Sequence, residues 1–185
     1  MSEHAVEKDA AVFHLPGHPL PALISLESTD GKPVDLFMLS LTRPVLLSTF
    51  GLPTSMQPTG RQVDLEAAGD HEGAIQLLSI KDHLPQLRER MPDLVVYGLS
   101  THNTTCLSQV RDRLQLPFEC LSDARCELMD KLELPYMHDD EHRLLRRCTM
   151  LLKEGQVTRL DFPISQPSEA GPRAIELLRR DTGRP

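Results

Sequence analysis

The chain has 185 residues, of which 39% are hydrophobic and 25% are charged, and this composition is typical of one globular domain with a sizeable core. Its formal net charge of -7 argues against a nucleic-acid-binding surface, because binding to phosphates needs clustered lysine and arginine side chains. No apolar run approaches the ~20 residues that span a bilayer, and no secretory signal is visible, so we expect a cytoplasmic protein without a nucleic-acid or membrane partner.

The first part of the chain predicts a lead-in, a hairpin and a buried strand. Residues 1–20 are polar and contain His and Pro, so we expect a flexible lead-in before a single domain over 21–181. Apolar and polar residues alternate around Asp30-Gly31, a pattern that predicts a β-hairpin. The continuous apolar run over 43–50 indicates a central strand that is buried on both faces.

A long loop and a helix follow this strand. The Gly and Pro content of 51–73 indicates a functional or flexible loop. Apolar residues over 74–91 recur at close to helical spacing. A kink is expected at Pro85, because proline removes one hydrogen bond and crowds the carbonyl of Lys81. Residues 93–100 then predict a second buried strand.

The second half of the chain alternates between helical and extended patterns. It predicts a helix over 103–116, capped by Asn103 or Thr104, and then a segment 118–123 that leads into a short helix over 124–134, capped by Ser122 or Asp123. A solvated loop is expected over 134–147. A hairpin over 147–164, which turns at Glu154-Gly155, and an amphipathic helix over 168–180 complete the chain. Strand–helix–strand units favour parallel pairing, and the late hairpin adds antiparallel strands. We therefore predict an α/β fold: a thioredoxin-like mixed β-sheet flanked by helices on both faces.

Three segments carry a family resemblance. The segment "VVYGLSTHNTTCLSQVRDRLQLPFECLSD" (95–123) is similar to a peroxiredoxin segment in which a strand ends in G-x-S, a helix follows, and "LPF" and "SD" come before the next helix. "LLRRCTMLLKEGQV" (144–157) resembles the R-x-T strand hairpin of that family, and "DGKPVDL" (30–36) resembles its opening hairpin. The chain is identified as a member of the AhpC/TSA (peroxiredoxin) superfamily, close to the bacterioferritin-comigratory type.

The resemblance implies that the reactive cysteine of the family has no counterpart in this chain. In that family a cysteine opens a helix, where the helix N–H groups and a nearby arginine lower its pKa. One branch reads approximately "GCTPQSCxFRDH" at this point and aligns without a gap to 72–83, "EGAIQLLSIKDH". The peroxidatic cysteine then falls on Gly73 and the resolving cysteine on Leu78, whereas Gln76 coincides. A slip of one residue places the nucleophile on Ala74, so neither register provides a thiol.

Arg147 is the part of the family's site that the sequence keeps. It matches the arginine of R-x-T, with Thr149 behind it, and in the family this arginine faces the catalytic cysteine. The resemblance implies that Arg147 and a helix N-terminus converge on a pocket suited to an anion, a carboxylate or a polarised carbonyl. The alternative is that Arg147 pairs with Asp70, Glu72 or another acid and that the pocket is filled.

The residues before the predicted helix are candidates for acid–base chemistry. His71 and Asp70 stand close to the former nucleophile position, and a histidine there could act as a general base near neutral pH. The alternative is a solvated loop in which Asp70 caps the helix. No metal-ligand spacing is present, so we expect neither a metal nor a cofactor. The candidate substrate-binding residues are Gly73, Ala74, Thr54 and Thr149.

The four cysteines form no CxxC pair, and free thiols are expected. Cys106 stands near the start of a helix, where the pKa of its thiol could be lowered. Cys120, Cys126 and Cys148 are interpreted as small hydrophobic residues. Strand alternation places Cys148 on the face opposite Arg147.

Three hypotheses of function follow from these residues. In the first, the chain binds or converts a small organic molecule that carries an anionic or carbonyl group, which Arg147 holds while His71 or Asp70 moves protons. In the second, it is a thiol peroxidase that uses a relocated cysteine such as Cys106. In the third, it is a non-enzymatic interaction or regulatory module. A small-molecule ligand is the expected partner, and a homodimer is possible.

Overall fold

A seven-stranded mixed sheet forms the centre of the computed structural model, which describes residues 11–52, 71–139 and 141–182. The strands of the described residues are β1 (Leu26–Ser28), β2 (Pro33–Val34), β3 (Val45–Thr49), β4 (Val95–Ser100), β5 (Glu119–Ser122), β6 (Tyr136–Asp139), β7 (His142–Leu145), β8 (Cys148–Lys153) and β9 (Gln156–Asp161). Their order in the large sheet is β2-β1-β5-β4-β3-β8-β9, and β6 pairs with β7 in a separate hairpin. Strands β3, β4 and β5 are parallel, and the other pairs are antiparallel.

Helices cover both faces of this sheet, as predicted. The helices of the described residues are α1 (Leu36–Thr42), α2 (Glu72–Asp82), α3 (Leu84–Arg90), α4 (Thr104–Leu114), α5 (Glu127–Lys131) and α6 (Ala170–Thr182), with a 3₁₀ turn over Pro167–Glu169. Side chains of α2, α3, α4 and α6 form one buried cluster with Leu46 and Leu151. Side chains of α1 and α5 form a second cluster with Leu47 and Met150. Strand alternation separates the two clusters, because successive side chains point to opposite faces.

Strand β3 is the buried centre that the sequence predicts. All five of its residues are buried, and β4 and β8 pair with it on either side. A strand with a helical layer on each face has no solvent-facing side, so its sequence is continuously apolar instead of alternating. The hairpin turns predicted at Asp30-Gly31 and Glu154-Gly155 join β1 to β2 and β8 to β9.

The segment predicted as one kinked helix is two helices. Helix α2 ends at Asp82 and α3 begins at Leu84, so the break is at His83 and Pro85 lies in the first turn of α3. Proline is tolerated in a first helical turn because its missing N–H has no intrahelical partner there. The ring Nδ1 of His83 lies 2.8 Å from the carbonyl oxygen of Ser79.

For two helices the sequence left two possible capping residues each, and the structure shows which side chain makes the capping contact. The side chain of Asn103 caps α4 by accepting from the N–H of Cys106 at 2.9 Å. The residue before α5 is Cys126, yet the Asp123 carboxylate accepts from the N–H of Leu128 and of Met129, at 3.2 and 2.8 Å. Asp123 therefore supplies the helix-capping contact from outside the helix.

The described part of the predicted lead-in packs into the domain, which corrects that interpretation for 11–20. Val12, Leu15 and Leu20 are buried in the second cluster. The N–H of Gly17 donates to Val157 O at 2.7 Å, and Val157 N–H donates to His18 O at 3.0 Å. Composition did not reveal these three buried residues, because their burial depends on contacts with β9, far away in the sequence. Within the described residues, no helix is long and apolar enough to cross a membrane.

We expect Leu15→Ala to lower the free energy of unfolding by about 2–5 kcal/mol, because it leaves a cavity beneath the sheet. The nearby Phe13 is exposed, and Phe13→Ala should change the free energy of unfolding by no more than about 0.5 kcal/mol. Urea denaturation at neutral pH measures both values. Equal effects of the two substitutions would show that residues 11–20 do not belong to the folded domain.

Candidate functional site

A cavity of about 560 Å³ lies beside the first turn of α2. Its walls come from the end of β3, the start of α2, the β6–β7 hairpin, the link from β7 to β8, and the segment after β9. The lining residues with the clearest chemistry are His71, Glu72, Met137, Arg146, Arg147 and Phe162. Its volume falls within the ~300–1,000 Å³ that is usual for small-molecule sites.

Sheet register brings these distant segments together. Thr49 of β3 pairs with Cys148 of β8, so the link that precedes β8 lies beside the residues that follow β3. The first turn of α2 packs against that same point, since a Cβ placed on Gly73 would lie 2.8 Å from Gly51 O. Arg147 and the start of α2 therefore meet, as the resemblance implies.

His71 caps α2 and is half-buried at the cavity. Its Nδ1 accepts from the N–H of Gly73 at 3.2 Å, and its carbonyl accepts from the N–H of Ile75 at 3.0 Å. Burial lowers the pKa of His71; the carboxylate of Glu72 opposes this, and the charge of Arg147 adds to it. With Nδ1 used as an acceptor, the proton of the neutral ring is on Nε2. In this state His71 is a hydrogen-bond donor to the cavity instead of a free base.

Arg147 forms an ion pair with Glu72, which is the alternative that the sequence left open. Its Nε also donates to Ile164 O at 3.2 Å, a contact that fixes the direction of the guanidinium. The Arg147 side chain is 27% exposed and that of Glu72 is 57% exposed. A pair that is solvated to this extent contributes only about 0–1 kcal/mol. The pair forms without filling the cavity beside it.

Arg146 also lines the cavity, and the sequence did not identify it. Its guanidinium carbon lies 5.0 Å from the centre of the Phe162 ring, a cation–π contact. Among the described residues the Arg146 guanidinium has no carboxylate partner. Strand alternation would place Arg146 and Arg147 on opposite faces, but both lie in the link between β7 and β8, where alternation does not apply.

The candidate substrate-binding residues within the described chain lie behind the cavity wall. Gly73, Ala74 and Thr149 are buried and do not line the cavity, and the N–H of Gly73 is already bonded to His71. Thr54 and Asp70 lie outside the described residues. The polar groups that line the cavity are side chains of both charges: Arg146 and Arg147 stand beside the acids Glu72 and Asp139, together with His71, His138 and Ser165.

Gln76, which coincides with the family motif, lies inside the fold. Its Nε2 donates to Ser48 Oγ at 2.6 Å and to Thr49 O at 3.2 Å, so it ties α2 to β3. Within the described residues, Gln76 Oε1 and Thr149 Oγ1 have no hydrogen-bond partner. Their buried position is structural, and neither residue lines the cavity.

The cysteines lie away from the cavity. Cys106, Cys120 and Cys148 are buried, and burial raises the pKa of each thiol, to about 12 for Cys120. Burial also raises the pKa of the half-buried Cys126, although the nearby Arg143 partly opposes this. The expectation of a lowered pKa at Cys106 is therefore wrong, because the loss of water outweighs the helix terminus. Cys148 packs in the second cluster and does not line the cavity, although Arg147 lies outside β8 and alternation therefore does not relate the two residues.

His102 is a buried titratable group near the cavity that the sequence did not single out. Its Nδ1 lies 2.9 Å from Ser100 Oγ, and its Nε2 has no hydrogen-bond partner among the described residues. Burial, aided by the charge of His142, lowers the pKa of His102 to about 4. No motif spacing marks this residue. Among the described residues, no group of three His, Cys, Asp or Glu side chains is placed to hold a metal ion.

Comparisons with known proteins identify the fold. No family model and no curated protein sequence matches the chain. Solved structures do match: peroxidoxin BcpB from Mycobacterium tuberculosis aligns with a TM-score of 0.69 at 16% identity, covering 92% of this chain and 99% of that chain. Peroxiredoxin Q from Xanthomonas campestris aligns with a TM-score of 0.67 at 13% identity, covering 88% and 96%. Reduced Prx3 from Vibrio vulnificus, in complex with H₂O₂, gives 0.67 at 17% identity, covering 91% and 98%.

These likenesses confirm the thioredoxin-like peroxiredoxin fold that the sequence motifs predicted. The alignment spans nearly the whole of each structure, so the arrangement of strands and helices is shared throughout. At this level of identity the match concerns the fold, and the chemistry of the cavity has to be argued from its own side chains.

The buried His102 makes the fold sensitive to acid. The unfolded chain has a histidine pKa of ~6.5, whereas the folded value is about 4, so between these pH values only the unfolded chain takes up the proton. The contribution of the neutral His102 ring to the free energy of unfolding is fully present above pH ~6.5. It falls by about 1.4 kcal/mol per pH unit as the pH drops towards 4. We expect the wild type to lose roughly 3 kcal/mol more than His102→Gln between pH 7 and pH 4.

Urea denaturation at several pH values measures this difference. His138→Gln is the control, because His138 is exposed whereas His102 is buried. Parallel pH profiles for the wild type and His102→Gln would contradict the assignment of a neutral buried ring.

Proposed function

We propose that this chain, which has the thioredoxin-like fold of peroxiredoxins, binds a small organic anion in the cavity beside α2 and does so without thiol chemistry. The observation that carries the proposal is a cavity of about 560 Å³ that two adjacent arginines line, with no cysteine among its described lining residues. The half-buried His71 adds one hydrogen-bond donor to these two cations. Such a set of groups suits a carboxylate or a polarised carbonyl.

The space at Gly73 supports a function without a thiol at this position. The alignment to the family motif puts the peroxidatic cysteine on Gly73, yet a Cβ there would lie 2.8 Å from the carbonyl oxygen of Gly51. Contacts of this length are essentially absent from real structures, so a side chain would require the backbone to shift. Glycine at this position therefore matches a packing that leaves no room for a nucleophile.

The ion pair of Arg147 leaves the arginine accessible to a ligand. Glu72 neutralises Arg147, but the pair is partly solvated and contributes little free energy. Displacing the Glu72 carboxylate to water therefore costs little. An anion that enters the cavity can then bind Arg147, with Arg146 close by on the same wall.

We expect Arg147→Gln to weaken anion binding by roughly 10- to 100-fold, because a hydrogen bond to a charged group contributes about 1.5–3 kcal/mol. Isothermal titration calorimetry of the full chain with 3-phenylpropionate measures the affinity. Arg111→Gln is the matched control: Arg111 is 23% exposed, is ion-paired with Glu119, and lies outside the cavity. Equal losses in the two variants, or no loss in Arg147→Gln, would reject the proposal.

The relocated-cysteine alternative makes an opposite prediction for the thiols. Because burial raises the pKa of all four, we expect the reduced native protein to consume no peroxide at neutral pH. A thiol reagent should label at most Cys126 before unfolding, and all four cysteines afterwards. Peroxide consumption that Cys106→Ser abolishes would instead establish thiol chemistry at the start of α4.

A further inference from the structure

The apolar part of the cavity lining indicates what kind of anion the proposed site takes. We infer, on the basis of the proposed anion site, that the ligand is a carboxylate with an apolar body of several carbon atoms, and that its carboxylate replaces that of Glu72 on Arg147. Three observations carry this inference: the partner that Arg147 already has, the apolar residues around it, and the position of Arg146.

The first observation is that Arg147 already binds a carboxylate. Glu72 reaches it from the first turn of α2, while Ile164 O holds the Nε edge of the guanidinium. One oxygen of the Glu72 carboxylate meets Nη1 of Arg147, so a carboxylate can reach this guanidinium while its Nε is held by Ile164 O. A ligand carboxylate that replaces Glu72 leaves the charge balance around Arg147 unchanged.

The second observation is the apolar lining beyond the arginines. Leu52, Leu144 and Ile164 are buried behind the cavity surface, and Met137 reaches it from β6. Met137 is 54% exposed, which is high for a large apolar side chain on a cavity wall. An inorganic ion would leave Met137 and the partly exposed Phe162 in contact with water, whereas a hydrocarbon chain would cover them. Methionine is suited to such a contact because its side chain adapts to irregular shapes.

The third observation is that, within the residues that the structure describes, Arg146 contacts an aromatic ring and no carboxylate. Its guanidinium lies over the Phe162 ring, and Arg146 lines the cavity. Arg146 adds positive potential near Arg147 without competing for the same oxygens. The pair of arginines therefore gives the carboxylate end its affinity, and the apolar wall gives selectivity for the rest of the ligand.

The test compares ligands that differ in one property at a time. Calorimetry with the full chain uses octanoate as the probe, acetate for the same charge without the chain, octanamide for the same chain without the charge, and inorganic phosphate. We expect octanoate to bind at least about 30-fold more tightly than acetate, because each buried methylene adds to affinity. Octanamide should bind at least about 10-fold more weakly than octanoate, because it lacks the charge-assisted contact with Arg147.

Variants locate the two halves of the ligand. Glu72→Gln should tighten octanoate binding by about 2- to 5-fold, because the competing carboxylate is removed. Met137→Ser should weaken octanoate binding by about 5-fold and leave acetate binding unchanged. The matched control is Met38→Ser, since Met38 is 58% exposed and lies outside the cavity. Octanoate affinity in this control should stay within about twofold of the wild type.

The outcomes separate the inference from the proposed function. If acetate or phosphate binds as tightly as octanoate and Arg147→Gln abolishes the binding, the anion site stands and the apolar body is rejected. If octanamide binds as tightly as octanoate, the carboxylate is rejected. If no anion binds, or if Arg147→Gln binds all of them as the wild type does, the proposed function fails and the inference fails with it.

Discussion

The close packing of the first turn of α2 against the end of β3 is the constraint from which the site follows. A Cβ on Gly73 would lie 2.8 Å from Gly51 O and 3.5 Å from the Cβ of Phe50, so only glycine allows the helix to approach this far. That approach lets Gln76 reach Ser48 inside the sheet and places His71 and Glu72 at the cavity. The same packing thus positions α2, leaves no room for a side chain at position 73, and places His71 and Glu72 at the cavity.

The electrostatics of the site follow from where water reaches it. Glu72 and Arg147 are partly exposed, so their attraction is weak and reversible. His71 is half-buried, and burial lowers the pKa of its ring, so the ring is neutral beside the arginines at pH 7. His102 lies deeper and its pKa is lowered further. The partly exposed Glu72 and Arg147 are charged, whereas the histidines His71 and His102 are neutral, as expected where the free-energy cost of ionisation rises with burial.

Local patterns predicted most of the fold but only part of the site. The buried strand 43–50, the hairpin turns and the cap at Asn103 depend on residues close in sequence, and the structure confirms them. The break at His83 could not be placed, because proline is tolerated in a first helical turn and the pattern alone does not show where that turn begins. The packed residues 11–20 were missed because their burial depends on a sheet edge more than 100 residues away.

The sequence identified only those lining residues of the cavity that lie in or beside segments resembling the family. Arg147 and His71 were identified because they adjoin recognisable segments, and both line the cavity. Arg146, Met137 and Phe162 were not, because strand register and the β6–β7 hairpin bring them together from separate parts of the chain. The segment 134–147 reads as a solvated loop because its charges are dense, yet it forms that hairpin and provides one wall of the cavity.

The partner of Arg147 connects the fold to the proposed function. The resemblance implies that this arginine faces a thiolate in peroxiredoxins, so its position suits a negative charge at the start of α2. In this chain Glu72 provides that charge from the residue next to Gly73. A thiolate at Gly73 would be part of the packed first turn, whereas the Glu72 side chain is mostly solvated and can turn away into water. The proposed binding function rests on this difference, because a solvated and movable carboxylate beside Arg147 can give way to an external carboxylate, whereas a group fixed in the packed first turn cannot.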